Sequence, residues 1–146
     1  MSQIVTMELA GTALGIDVGV VQDVVRLGRM TPVPGAPAWI AGVMNLRGHI
    51  VTVIDLRRRM DVTQAPLGDG TPKLAVVVEC RREAFALMVD GVGDVIEVGN
   101  GDRVPDPATL SPTWRDVSLG VIRREHSLLI EVDVEAVVFH DLARAA

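Results

Sequence analysis

The chain has 146 residues, of which 49% are hydrophobic and 23% are charged, a composition that indicates one globular domain and excludes a disordered chain. Its formal net charge of −5 argues against binding to nucleic acid, because Lys and Arg must neutralise the phosphates. Only 3% of the residues are aromatic, and a core made mostly of Val, Leu and Ile suits β-strands.

Cellular location can also be predicted from the composition. Cys80 is the only cysteine, so no internal disulfide can form and a reducing compartment is expected. The N-terminal stretch lacks a basic segment followed by a long apolar run, so we expect no signal peptide. No apolar run approaches the length of a membrane span. We therefore expect a cytoplasmic protein that reaches a membrane only through a partner.

Short apolar runs that end at Gly, Pro or polar turns predict a mainly β-protein. The predicted strands lie at roughly 3–8, 14–18, 21–27, 42–47, 49–55, 73–80, 84–89, 92–98, 117–123 and 127–133. Hairpin turns are expected at Arg47–His49, Arg81–Glu83 and Arg124–His126.

Helices are predicted at three places. Pro37–Ala41 is expected to form a single helical turn that Gly42 closes. Arg57–Arg59 is expected to start a short solvated helix, with contact to an acidic partner surface as the alternative. Val134–Ala145 carries apolar residues at helical spacing and predicts an amphipathic helix that Asp133 caps.

The sequence also contains a weak internal duplication. Leu14–Val18 resembles Phe85–Val89, and Gly42–Asp55 resembles Gly120–Asp133, at two slightly different spacings along the chain. Chance similarity between alternating β-hairpins is the alternative, but it does not explain the matched Gly and Asp residues. The duplication predicts one domain over 1–146 with subdomains at roughly 14–65 and 73–133, divided by a linker near 61–72, and with the first strand and last helix packing across both. About five short strands in each half favour two small barrels around a shared hydrophobic core.

One segment carries a specific motif. Pro32–Gly42 combines a proline-rich turn with a short predicted helix, and Gly42–Arg57 reads GVMNLRGHIVTVIDLR. Together they resemble the signature of the CheW family of chemotaxis adaptors. Three further parts are similar to that family: Gly15–Val18 with Val21–Val24, Leu87–Val92, and Gly120-Val121 with the closing strand and helix. The likeness therefore covers essentially the whole chain.

The resemblance implies a fold of two five-stranded Src-homology-3-like barrels. It implies a non-catalytic scaffold that couples methyl-accepting chemoreceptors to a CheA-type histidine kinase and needs no cofactor or metal. A groove between the subdomains would bind the tip of the receptor's helical hairpin. The barrel ends would pair with the regulatory domain of the kinase, and with other CheW-like domains in membrane-associated arrays.

The receptor-binding residues that the resemblance implies are Val21, Asp23, Asn45, Leu46, Arg47 and Gly48. From the residues alone, Gly48 suits a tight turn that fixes Arg47 at a hairpin end. Arg47 would then either offer its guanidinium to a partner or pair with an internal carboxylate. Asn45 would either contact a partner or satisfy the turn backbone. Val21 would line the receptor groove or pack in the core.

Other functions have weaker support. His49, His126 and His140 lack the spacing of metal ligands, and Cys80 is expected to be a small core residue. Gly91–Asp94 contains a GxG, but no helix follows it and the third glycine of a dinucleotide motif is missing. We find no catalytic set and predict that the chain is not an enzyme. A CheW-like adaptor for surface motility or gene control is an alternative, and a small-ligand-binding β-barrel is a more distant one.

Overall fold

The computed structural model describes residues 2–62 and 74–140. Most of this part of the chain is β-structure. The strands are β1 (Ser2–Leu9), β2 (Thr12–Asp17), β3 (Val21–Arg26), β4 (Ile40–Leu46), β5 (His49–Asp55), β6 (Leu74–Cys80), β7 (Glu83–Val89), β8 (Gly91–Val98), β9 (Arg103–Val104), β10 (Ser118–Arg123) and β11 (Leu128–Val132). The α-helices are short: α1 (Leu56–Arg59), α2 (Pro112–Val117) and α3 (Val134–Phe139). Two 3₁₀ turns lie at Val18–Val20 and Asn100–Asp102.

The strands form two sheets with one plan. The five-stranded sheet has the order β3-β6-β7-β5-β4, and the six-stranded sheet has the order β8-β1-β2-β11-β10-β9. Each sheet contains two antiparallel hairpins that are joined by one parallel pair of strands, β5 with β7 in the five-stranded sheet and β11 with β2 in the six-stranded sheet. A further strand, β3 or β8, pairs with the outer side of one hairpin. The repeated order agrees with the predicted duplication.

The chain passes between the sheets by exchanging strands. β2 belongs to the six-stranded sheet, and the next strand, β3, belongs to the five-stranded sheet. β7 and β8 make the opposite crossing. Each sheet therefore contains strands from both predicted segments, 14–65 and 73–133, and the division of the sequence at the linker stays a prediction. Most of that linker lies outside the described residues.

A shared hydrophobic core joins the two sheets. It contains Met7 from the six-stranded sheet, Leu87 from the five-stranded sheet, and Trp114 and Val137 from α2 and α3. Smaller clusters fill each sheet separately, one around Val53 and one around Ile4 and Ile122. Full burial of each such aliphatic side chain stabilises the fold by about 1.5–3 kcal/mol.

The ten predicted strands and the mainly β fold are confirmed, but the helix predictions need correction. The segment after Pro37 is a single hydrogen-bonded turn and not a helix, because strand pairing already begins at Ile40. The C-terminal helix starts at Val134 as predicted, yet it ends at Phe139, because His140 has extended backbone angles. The rest of the predicted helix lies outside the described residues.

Helix α1 is confirmed at Leu56–Arg59, but it is not solvated as predicted. Arg59 is buried, and the side chain of Arg57 is 14% exposed. Asp55 caps α1 and Asp133 caps α3 in the same way, each carboxylate accepting hydrogen bonds from two backbone amides of the first turn. The matched Asp residues of the duplication therefore have one structural role.

Candidate functional site

The hairpin between β4 and β5 holds the predicted binding motif. Arg47 and Gly48 form its two-residue turn, with φ angles of 52° and 84°. Both angles lie in the left-handed region, which Gly48 adopts without strain. Asn45 Oδ1 accepts a hydrogen bond of 2.9 Å from the Gly48 amide. Asn45 thus supports the turn, which is one of the two roles that the sequence left open.

The Arg47 side chain pairs with one carboxylate and otherwise faces solvent. Its Nη1 lies 2.7 Å from Asp23 Oδ2, and its side chain is 74% exposed. Asp23 Oδ2 is buried and has no hydrogen bond of good geometry in the described chain, so Arg47 compensates its charge. Asp23 belongs to β3, which the strand exchange brings across to the five-stranded sheet. The internal ion pair and an exposed guanidinium therefore coexist at this residue.

An open groove of about 620 Å³ lies beside this ion pair. All its lining residues come from strands and hairpins of the five-stranded sheet. A receptor groove between the subdomains, which the resemblance implied, stays a prediction. Polar groups include Gln22, whose Nε2 donates to Glu79 Oε2 at 2.8 Å. Leu46 lines the groove together with Ile50, a residue that is 66% exposed. The groove thus combines charge, amide groups and apolar surface.

The remaining predicted site residue, Val21, is half-buried and packs against the shared core. The more exposed valines of this region are Val18, Val20 and Val24. The structure therefore brings Asp23, Arg47 and Leu46 together around the groove and places Val21 towards the interior. A receptor-contact role for each of them stays a prediction.

The six-stranded sheet has a similar depression at its own hairpin. It lies beside the β10–β11 turn, also measures about 620 Å³, and includes Arg124 and His126. Exposed apolar residues repeat in the alignment of the duplication. Ile50 corresponds to Leu128, Val24 corresponds to Val95, and all four are exposed. Each sheet therefore presents a related apolar surface.

Sequence reasoning missed an ion pair that connects the sheets. Arg57 Nε donates to Asp90 Oδ1 at 2.9 Å, and Asp90 Oδ2 accepts from the Ala10 amide at 2.7 Å. Burial disfavours the Asp90 carboxylate, but the hydrogen bonds from Arg57 and Ala10 outweigh it, so its pKa lies below the usual value. The Asp90 hydrogen bond and charge likewise raise the pKa of Arg57.

The residues considered for other chemistry do not form a site. Cys80 is half-buried at the end of β6 and packs against the edge of the shared core, so the prediction of a small core residue holds only in part. Burial raises the pKa of the Cys80 thiol, with a further contribution from Glu135, which disfavours a thiolate. His49, His126 and His140 are all exposed.

Two kinds of feature are absent from the described residues. No group of three or more His, Cys, Asp or Glu side chains there is arranged to hold a metal ion. No helix in residues 2–62 or 74–140 is long and apolar enough to cross a bilayer.

Comparisons with known proteins agree with this geometry. The CheW-like domain family profile matches residues 3–141. The chemotaxis protein CheW of Treponema pallidum is 30% identical over 134 residues, which are 90% of this chain and 79% of that protein. The Bacillus subtilis chemotaxis protein CheW is 30% identical over 137 residues, which are 93% of this chain and 86% of that protein.

A solved structure shows the same fold. The crystal structure of the scaffolding protein TtCheW from Thermoanaerobacter tengcongensis superimposes with a TM-score of 0.79 at 27% identity, covering 90% of this chain and 88% of that one. The two sheets are therefore two Src-homology-3-like subdomains, which we call the first barrel (five-stranded) and the second barrel (six-stranded). The family consists of non-catalytic scaffold adaptors. By the extent of the profile match and by these relatives, the chain belongs to the CheW family of chemotaxis coupling proteins.

Proposed function

We propose that this chain couples methyl-accepting chemoreceptors to a CheA-type histidine kinase, and that Arg47 contacts the hairpin tip of the receptor. The observation that carries the proposal is an exposed guanidinium held in place by an ion pair with Asp23. A fixed cation with exposed donors suits carboxylates and carbonyls at the end of a helical hairpin. The same arrangement would bring the protein to receptor arrays at the membrane through its partner.

The groove supports the same proposal. A receptor tip offers apolar side chains beside polar ones, and the groove presents Leu46 and Ile50 beside Arg47 and Asp23. Binding surfaces that combine an apolar centre with a polar rim are typical of protein–protein interfaces. Arg is also among the residues that contribute most to binding at such interfaces.

Replacing Arg47 by Ala should weaken binding to a soluble receptor fragment that carries the hairpin tip by about tenfold or more. Arg47→Lys should show an intermediate loss, because Lys keeps the charge but lacks the planar fork of donors. Binding is measured by isothermal titration calorimetry, and thermal unfolding is followed for each variant. A binding loss that comes with a collapse of the folded state would identify Arg47 as structural instead.

Arg82 provides a matched control. It is an exposed arginine in the β6–β7 turn, it lines the same groove, and its φ angle of 65° is also positive. Arg82→Ala should bind the receptor fragment as the wild type does. Equal losses in the two variants would show that the groove responds only to net charge, and the specific role of Arg47 would be wrong.

Contacts with the kinase are proposed at the two apolar surfaces that the duplication repeats. Exposed apolar groups at equivalent positions of both barrels favour a partner that has a related fold and two equivalent surfaces of its own. The same surfaces suit pairing with other CheW-like domains in arrays. Ile50 and Leu128 are the largest exposed residues of the two repeated pairs.

Placing a charge at the apolar surface of the second barrel should separate kinase binding from receptor binding, because Ile50 of the first barrel also lines the groove beside Arg47. Leu128→Glu should weaken binding to the isolated regulatory domain of the kinase by about tenfold, because it places a carboxylate in an apolar contact, and should leave receptor-fragment binding intact. Val33→Glu is the control, since Val33 is exposed but lies outside the repeated pairs. Analytical ultracentrifugation of the mixtures gives the affinities. Unchanged kinase binding in Leu128→Glu and in Ile50→Glu would refute this part of the proposal.

A further inference from the structure

The contact between the two barrels contains two ion pairs, and one partner of each lies in the short helix that follows a barrel. In the first, Arg57 of α1 binds Asp90, which also accepts from the Ala10 amide in the β1–β2 hairpin. In the second, Glu135 of α3 binds Arg81 in the β6–β7 hairpin. Arg57 aligns with Glu135 at the spacing that relates Asp55 to Asp133, and Ala10 aligns with Arg81 at the spacing that relates Leu14 to Phe85. Glu135 therefore binds the hairpin of the other barrel directly, whereas Arg57 reaches the equivalent hairpin through Asp90.

The two links differ in burial. The Arg57 and Asp90 side chains are 14% and 20% exposed, whereas those of Arg81 and Glu135 are 57% and 48% exposed. Solvent screens an exposed pair, so the second link contributes little to holding the barrels together. The Arg57–Asp90 link is shielded, is bidentate, and includes a backbone amide.

Asp90 also occupies the place where the chain changes sheets. It is the single residue between β7 of the first barrel and β8 of the second. Its own amide donates to Glu8 O at 2.9 Å, so its backbone and both carboxylate oxygens are bound to elements on either side. The equivalent crossing from β2 to β3 passes through the three-residue turn Val18–Val20. The crossing at Asp90 is therefore the shorter and the more heavily bonded of the two.

We propose that Asp90 is a positioning residue that fixes the angle between the two barrels through Arg57 and the Ala10 amide. The inference rests on the proposed function in one respect: a scaffold with a docking surface on each barrel transmits a signal only if both surfaces keep a defined relative orientation. A change of angle would leave each surface intact and disturb the assembly of receptor, adaptor and kinase.

The angle is measured on the isolated full-length protein. Spin labels are attached at Glu83→Cys in the first barrel and Glu97→Cys in the second, both exposed positions, in a Cys80→Ala background. Pulsed electron–electron double resonance gives the distribution of distances between the two labels. Asp90→Asn and Arg57→Gln should each broaden that distribution by about twofold, and Arg57→Lys should lie between them and the wild type.

Arg103→Gln is the matched control. It removes the ion pair between Arg103 of β9 and the buried Glu131 of β11, which lies wholly within the second barrel. This variant should lose thermal stability and keep the wild-type distance distribution. Broadening of the same size in Arg103→Gln would mean that the distribution reports general loosening, and the positioning role of Asp90 would be overturned.

A functional measurement completes the test. In Asp90→Asn, the receptor fragment and the kinase regulatory domain should each bind with the wild-type affinity, and receptor-dependent control of the kinase should fall by about tenfold. An unchanged distance distribution overturns the positioning role of Asp90 whatever the partners do. A broadened distribution with normal kinase control supports that role and overturns the inference that signalling depends on the angle. Failure of either fragment to bind the wild type would instead refute the proposed function, and the distance result would still decide the role of Asp90.

Discussion

Replacing Arg59 by Gln should lower the free energy of unfolding by about 2–4 kcal/mol, because it leaves the buried Val137 carbonyl and the part-buried His140 carbonyl without this donor. Arg59 Nε donates to Val137 O at 2.6 Å, and its Nη2 donates to His140 O at 2.5 Å. Its guanidinium carbon also lies 4.2 Å from the centre of the Trp39 ring. These contacts satisfy the last carbonyls of α3 and join that helix to the first barrel.

Urea denaturation measures the loss, and Arg58 supplies the control. Arg58 is the preceding residue of the same helix, and its side chain is 61% exposed beside Asp55. Arg58→Gln should change the free energy of unfolding by no more than about 0.5 kcal/mol. If the two variants are equally stable, the buried contacts of Arg59 contribute nothing, and the attachment of α3 rests on its apolar face alone.

Gly42→Ala should be more destabilising than Gly120→Ala, although the two glycines are equivalent in the duplication. Gly42 has a φ angle of 152°, and a methyl group there would lie 2.6 Å from the backbone oxygen of Thr31. Thr31 pairs with Val43 through two backbone hydrogen bonds, so a clash at this point disrupts the bridge. Because a backbone atom cannot rotate away, overpacking should add about 1–3 kcal/mol to the conformational cost.

Gly120→Ala separates the two causes of the expected destabilisation, which are the unfavourable φ angle and the steric clash. Its φ angle of 131° is also unfavourable for a side chain, but the nearest atom to an added methyl group is Val104 O at 3.6 Å, an ordinary contact. Gly120→Ala should therefore lose only the conformational part, about 1–3 kcal/mol. Thermal and urea unfolding of both variants test the difference. Equal losses would show that backbone conformation accounts for the whole effect and that the Thr31 contact yields easily.

The strands could be predicted because their signal is local. Alternating apolar residues and turn residues such as Gly48 determine where a strand begins and ends, whatever it pairs with. Strand β9 was missed because two residues cannot show a period. Helix α2 was also missed, although the sequence does contain a signal for it. Ser111 is its N-cap and accepts a hydrogen bond from the Trp114 amide, and Pro112 follows at the first helical position.

The arrangement of the strands was harder to predict than their positions. The strand exchange depends on pairing between distant residues, such as Val5 with Val95, and neither segment shows this by itself. The same limit applies to the site. The local turn at Asn45–Gly48 could be predicted, but Asp90 and Arg57 are far apart in the sequence and meet only after both barrels have formed. The burial of Arg59 depends on a helix near the other end of the chain.

Strands β3 and β8 each belong to a different sheet from the strand that precedes them in the chain, and this has a consequence for how the protein folds. A nascent chain that leaves the ribosome has β1 and β2 early, but β1 lacks its outer neighbour until β8 has been synthesised. β3 likewise waits for β6, beyond residue 73. With so many pairings between distant segments, neither barrel can finish before most of these strands are available, and we expect folding to be slow for a domain of this size. Until then the incomplete sheets expose unpaired strand edges, so we expect this stage to be the most prone to aggregation.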